Sequence, residues 1–196
     1  MPNPRQLDGI ASSGETPRLL LHCCCAPCAS YVIELLTPVF IISILFYNPN
    51  IMPRDEYDKR LAEISKLLSQ ASYPNCVDLL HSDYDIADFE AVAMPFWDEP
   101  EGGRRCKACF ELRLLEAAKR AKAEGCGHFT TTLSVGPRKD AVLLGEIGTR
   151  AAEAYGVSYL HSDFKKRGGC ERSVELSKQY GLYRQSYCGC RHSGIR

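Results

Sequence analysis

Residues 18–47, RLLLHCCCAPCASYVIELLTPVFIISILFY, read as strand, helix, strand, and the fold class follows from that reading. The apolar run Leu19-Leu20-Leu21 is a short buried strand. Ala29 to Leu36 is a helix opening just after Pro27, because proline is tolerated in a first helical turn. Val39 to Tyr47 is the strongest strand signal in the chain; Asn48-Pro49-Asn50 ends it, and it is expected to lie centrally in its sheet. Further along, Tyr57, Leu61, Ile64, Leu67 and Leu68 mark one face of a helix over 54–70, followed by a weaker strand over 77–81. A helical stretch over 83–97 ends at Met94-Pro95, and 98–105 (DEPEGGRR) is a loop. Helices over 106–124, 139–155 and 172–180 each run into a glycine (Gly125, Gly156, Gly181), with strands over 128–133 and 157–161 after the first two. Five alternations of strand and helix predict an α/β, single-domain, three-layer fold with a mostly parallel, Rossmann-like sheet flanked by helices.

The chain of 196 residues, 45% hydrophobic, suffices for one core. Residues 1–17 are read as a flexible leader and 18–196 as the catalytic domain, with a basic, cysteine-containing C-terminal segment. Neither an apolar leader segment nor an 18-residue uncharged apolar run occurs, which excludes a secretion signal and a membrane span and makes the cytoplasm the expected location. Formal charge is zero, but residues 164–196 carry 8 Lys and Arg against 2 Asp and Glu, while the remainder carries 16 against 22. Such a basic end suits a polyanion such as RNA, or simply a solvated face.

Eleven cysteines in a chain without a secretion signal point to metal ligation or redox chemistry rather than structural disulfides. The run His22 to Cys28 sits at the carboxyl end of a strand and the start of a helix, where open α/β sheets bind ligands and helix amides favour thiolates. Cys106 and Cys109 begin another helix, so both sulfurs lie on one face, shared by Arg113. A pair from each of two helix starts gives four sulfurs, with Cys25 and Cys28 the natural partners in the first. Cys188-Gly189-Cys190 closes only a very small, strained and reducible ring, or else ligates a second metal. Cys76, Cys126 and Cys170 are isolated and read as inert thiols; Cys23 would point away from its neighbours. Two alternatives use the same residues: a structural zinc module that binds RNA, and a thiol-disulfide oxidoreductase built on Cys25-Ala26-Pro27-Cys28.

Taken in order, LLLHCCCAPC, FYNPNIMPRDEYDKR, RRCKACFELRL, FTTTLSVGPRKD and LSKQYGLYRQSYCGC resemble the QueH-type epoxyqueuosine reductases, from about Leu19 to Ser193. The resemblance implies reduction of the epoxide of epoxyqueuosine at the wobble position of tRNA, the last step of queuosine formation. By position it implies a 4Fe-4S cluster on Cys24, Cys25, Cys106 and Cys109, and a redox-active disulfide at Cys188 and Cys190. Cys28 is then a further cluster ligand or the ligand of an additional mononuclear iron. The triple cysteine at 23–25 and Gly136, where the family more often has serine, depart from the pattern.

Converting an epoxide to an alkene consumes two electrons and two protons and releases water, so an external electron donor is required as a partner. The Cys188/Cys190 dithiol is expected to supply or relay reducing equivalents. Lys139 is the favoured proton donor, with Asp140 beside it, although a lysine there also suits a solvated helix start. Tyr47, Asn48, Tyr57, Arg60, Thr131, Arg138 and Arg184 are candidate substrate holders, near strand ends or loop starts. Lys165, Lys166, Arg167, Arg184 and Arg191 form the expected basic face, with Tyr183 and Tyr187 available to stack on bases.

Overall fold

The computed structural model describes residues 16–193; the leader expected over 1–17 therefore lies, but for its last two residues, outside the described residues. Five strands form one all-parallel sheet in the order β3-β2-β1-β4-β5: β1 (Arg18–His22), β2 (Ile41–Leu45), β3 (Val77–Leu80), β4 (His128–Thr131) and β5 (Ser158–Tyr159). Among the described residues the helices are α1 (Ala26–Leu36), α2 (Arg54–Gln70), α3 (Ile86–Ala93), α4 (Arg104–Ala123), α5 (Ala141–Tyr155) and α6 (Gly169–Gln179). No described helix is long and apolar enough to cross a membrane.

Side chains alternate across a strand, and β1 shows the result. Leu19 and Leu21 enter the core under α1, α2 and α6, whereas Leu20 enters the opposite core with Phe110 and Leu114 of α4 and Ile147 of α5. All three leucines are fully buried, at roughly 1.5–3 kcal/mol of hydrophobic stabilisation each. Gly148 lets α5 approach the sheet closely, since a Cβ there would stand 2.5 Å from the Tyr159 ring.

β2 is interior but not central. After β3 the chain crosses back and adds β4 on the far side of β1, which makes β1 the middle strand. β2 is also shorter than the apolar run, because the amides of Val39 and Phe40 still bond to Leu36 O and belong to the turn that closes α1. α1 begins at Ala26, three residues earlier than expected, with Cys25 as its extended N-cap and the proline inside its first turn. The 83–97 stretch divides into α3, capped by Asp85, and a 3-10 turn over Met94–Phe96. α4 starts at Arg104 rather than 106, α5 at Ala141 rather than 139, and α6 at Gly169 rather than 172. β4 stops at Thr131 because its hydroxyl accepts from Leu133 N and turns the chain into a 3-10 segment over Thr132–Val135. β5 is reduced to Ser158–Tyr159. The expected glycine stops hold: Gly125, Gly156 and Gly181 all take positive φ.

Candidate functional site

In this strand order, the chain's two wings part between β1 and β4, and the carboxyl ends of those strands bound the crevice where open α/β sheets bind ligands. A cavity of about 300 Å³ opens there. Cys24, Cys25 and Cys28 line it from the β1–α1 junction, Cys188 from the C-terminal segment, and Arg113 from α4. Cys109, on α4, is buried beside this cavity against Phe89, Ala93 and Cys190. Cys106 is half-buried, accepts from Gly102 N at 3.2 Å, and borders an adjoining cavity of about 350 Å³ together with Glu101 and Lys139.

Burial and crowding hold Cys24, Cys25 and Cys109 as neutral thiols. For Cys25, a hydrogen bond with Cys24 lowers the pKa, but the bond with Cys28 and desolvation outweigh it, and the thiol is pushed up to about 12. Burial raises Cys109 to about 12 against the opposing pull of Arg113. Cys24 is raised by its hydrogen bond with Cys25 and by burial. Metal ligation requires thiolates, so loading this site would release protons. As arranged, no three His, Cys, Asp or Glu side chains among the described residues could hold a single ion. A cubane cluster asks for something else: one soft sulfur per iron, spread around a cavity. Cys24, Cys25 and Cys28 on the cavity wall, with Cys106 and Cys109 flanking it, fit that demand in donor chemistry.

The Cys188 segment is held from α2. Arg60, 2% exposed, is paired with Glu56 at 2.7 Å and donates to Cys188 O at 2.9 Å and Tyr187 O at 3.3 Å. Met52 N donates to Gly189 O at 2.9 Å. Gly189 itself has φ +99°, and a Cβ there would meet Ile51 at 3.1 Å and the Arg60 guanidinium at 3.2 Å, so only glycine passes. All eleven cysteines are free thiols, Cys188 and Cys190 included. Cys188 faces the cavity, whereas Cys190 packs on the apolar side with Cys109.

Lys139 reaches across the cavity wall, with Nζ 3.9 Å from Cys188 Sγ and 3.7 Å from Glu101. Burial lowers its pKa, but Cys188, Cys106 and Glu101 raise it more, leaving it above the ordinary lysine value. Arg138 is exposed at the rim of both cavities. The neighbouring Asp140 borders the adjoining cavity and caps α5, accepting from Val142 N at 2.9 Å and Leu143 N at 3.2 Å.

Other expected substrate holders are engaged within the fold. Tyr47 donates to Asp88 at 2.7 Å, and Tyr57 to Phe46 O at 3.1 Å. Asn48 donates to Cys23 O at 2.8 Å and accepts from Arg113. Thr131 faces His22 Nδ1 at 2.8 Å, and Arg184 reaches Ser177 Oγ at 3.2 Å. The basic face is partly neutralised: Lys165 and Lys166 pair with Asp163, and Arg191 with Glu90. Lys59 sits 3.5 Å from the Tyr183 ring centroid, while Tyr187 reaches the cavity with the Arg60 guanidinium 5.2 Å from its ring centroid. Among the isolated cysteines, Cys76 is exposed, Cys126 buried and Cys170 half-buried, and Cys23 is fully buried in the core.

Three cavity residues were not among the candidates: Thr132 and Gln185, although both lie within quoted motifs, and Glu101. The hydroxyl of Thr132 and the side-chain oxygen of Gln185 are buried without a hydrogen-bond partner. Arg113 was visible as a residue one helical turn beyond Cys109, but nothing in its spacing announces that it is buried.

The family model described as "Epoxyqueuosine reductase QueH" matches residues 19–195. A protein of that name from Staphylococcus epidermidis is 41% identical, over 90% of this chain and 76% of its own length. Those from Streptococcus pyogenes serotype M1 and Thermotoga maritima are 39% and 35% identical, over 89% and 88% of this chain and 69% and 88% of their own lengths.

Proposed function

The chain belongs to the epoxyqueuosine reductase QueH family, an oxidoreductase family of queuosine biosynthesis, and on that premise we propose that its cavity reduces the epoxide of epoxyqueuosine within a tRNA. The observation that carries the reading is the convergence of sulfurs from three distant segments, residues 24–28, 106–109 and 188–190, on one crevice. Membership of this family gives no support to a thiol-disulfide oxidoreductase or a zinc module.

In this proposal Cys24, Cys25, Cys106 and Cys109 hold a 4Fe-4S cluster, and Cys28 is a fifth sulfur for the cluster or an adjacent iron. Bound there, such a cluster supplies electrons one at a time, which no side chain can do repeatedly. Lys139, an ammonium at neutral pH and half enclosed by the cavity wall, holds a proton for the oxygen that leaves as water. Arg60 and Gly189 fix Cys188 at the cavity, where its thiol can receive or pass reducing equivalents. Tyr187 and Arg138 border the opening and suit the base and the phosphates that accompany the reacting ring. An external electron donor completes the balance.

Purification without oxygen, followed by iron, sulfide and visible-spectrum measurement, is expected to give about four irons with inorganic sulfide per chain. A colourless, zinc-loaded protein would overturn the cluster. Epoxyqueuosine is expected to accumulate in the tRNA of cells lacking the protein, and its absence there would overturn the substrate.

A further inference from the structure

Arg113 and Arg60 are the two largest fully buried side chains, and they are neutralised differently. Arg60 has Glu56. Among the described residues no carboxylate forms an ion pair with Arg113. Its Nε donates toward His22 Nε2 at 3.3 Å, and a second nitrogen donates to the amide oxygen of Asn48. Neither an imidazole nor an amide supplies negative charge. What remains around the guanidinium is sulfur: it lines the cavity together with Cys24 and Cys188, four residues along α4 from Cys109, and its field acts on all three. These three come from the three segments that meet at the crevice.

A buried cation is tolerated only with a counter-charge, and removing one partner of a buried pair is strongly destabilising. Thiols are neutral; thiolates are not. We propose that Arg113 is the resident counter-charge of an anionic sulfur centre in the cavity, and that by stabilising its more negative, reduced state it raises that centre's reduction potential. Arg113 is thus a positioning residue, which acts through the field it sets on the sulfurs. The inference rests on the cluster reading above, and it explains why α4 carries its cysteine pair and this arginine within two turns of one helix: one element delivers both the ligands and the charge that offsets them.

The physical sign is fixed. Reduction adds an electron next to a fixed positive charge, so the guanidinium favours the reduced form more than the oxidised one. Replacing it by an uncharged side chain of similar length, Arg113→Met, is expected to disfavour reduction by tenfold or more, a shift of at least 59 mV to more negative potential for one electron. Arg113→Lys keeps the charge and is expected to remain closer to wild type. The measurement is an anaerobic potentiometric titration of the purified protein, followed by electron paramagnetic resonance, with iron content determined in parallel. Should Arg113→Met fail to fold, Asn48→Asp answers the same question, because it sets a carboxylate against the guanidinium and cancels its charge in place; the same negative shift is expected. A cluster that titrates at the wild-type potential in the neutralised variant would overturn the role of Arg113 and leave the cluster standing. Wild-type protein without any iron signal would overturn both.

Discussion

Lys139 holds its proton because of what surrounds it. Desolvation works against the ammonium, but Cys188, Cys106 and Glu101 favour it more, so its pKa lies above that of a free lysine. A group with a raised pKa stays protonated through neutrality and loses its proton only as pH rises past that higher value. If this proton is the one delivered, turnover should be flat through neutral pH with respect to this group and fall on the alkaline side. Lys139→Met should lose at least a hundredfold in kcat, the lower end of a general acid's usual contribution, and lose that alkaline limb. A pH–rate profile of wild type and variant checks it. Single residues also mark where sequence reading stops. Thr131 and Thr132 are indistinguishable by type, yet the first is consumed by His22 and Leu133 N while the second lines the cavity with an unpartnered hydroxyl. The 3-10 turn after β4, which separates them, has no periodicity of its own. Asp140 adjoins the favoured lysine in sequence and on the smaller cavity, but its carboxylate is engaged in capping α5.

At the scale of elements, α2 acts as a rail for the C-terminal segment. Lys66 donates to Gly181 O at 2.5 Å, Glu63 accepts from Tyr183 N at 2.7 Å, and Arg60 grips Tyr187 O and Cys188 O. Glu56 is what permits Arg60 to be buried. Glu56→Gln should therefore cost about 3 kcal/mol, the low end for breaking one side of a buried pair, read as a lowered midpoint in urea unfolding. That α2 exists was plain from its periodicity, and its bounds were read as 54–70 directly. That it grips residues 181–188 was not, because partners more than a hundred positions apart leave no local pattern. Strand ends failed for a related reason. The apolar run over 39–47 records burial, and Val39 and Phe40 are buried or nearly so while bonded to a helix carbonyl rather than to a neighbouring strand. The cysteine groups at 24–28 and 106–109 were legible because helix starts and strand ends have local signatures, so their meeting at one end of the sheet followed from the alternation, whereas residues 188–190 lie in no helix or strand.

For the molecule as a whole, the sheet order brings the β1–α1 junction, the start of α4 and the last described segment to one crevice, while the charge imbalance lies in the last part of the chain. If all of the tail's excess of 8 cations over 2 anions met phosphate, binding of tRNA would fall with salt at a log–log slope of roughly −5. Several of those cations are already paired, Lys165 and Lys166 with Asp163, Arg172 with Glu34 and Arg191 with Glu90. The expected slope is shallower, roughly −2 to −3, measured by titrating tRNA between about 50 and 200 mM salt. Affinity that ignored salt would remove phosphate contacts from the account. Alkylating agents and peroxides attack thiolates, and Cys25 and Cys109, held near 12, offer almost none at neutral pH. Alkylation of the native protein at neutral pH is therefore expected to spare Cys25 and Cys109 and to reach the exposed Cys76 first.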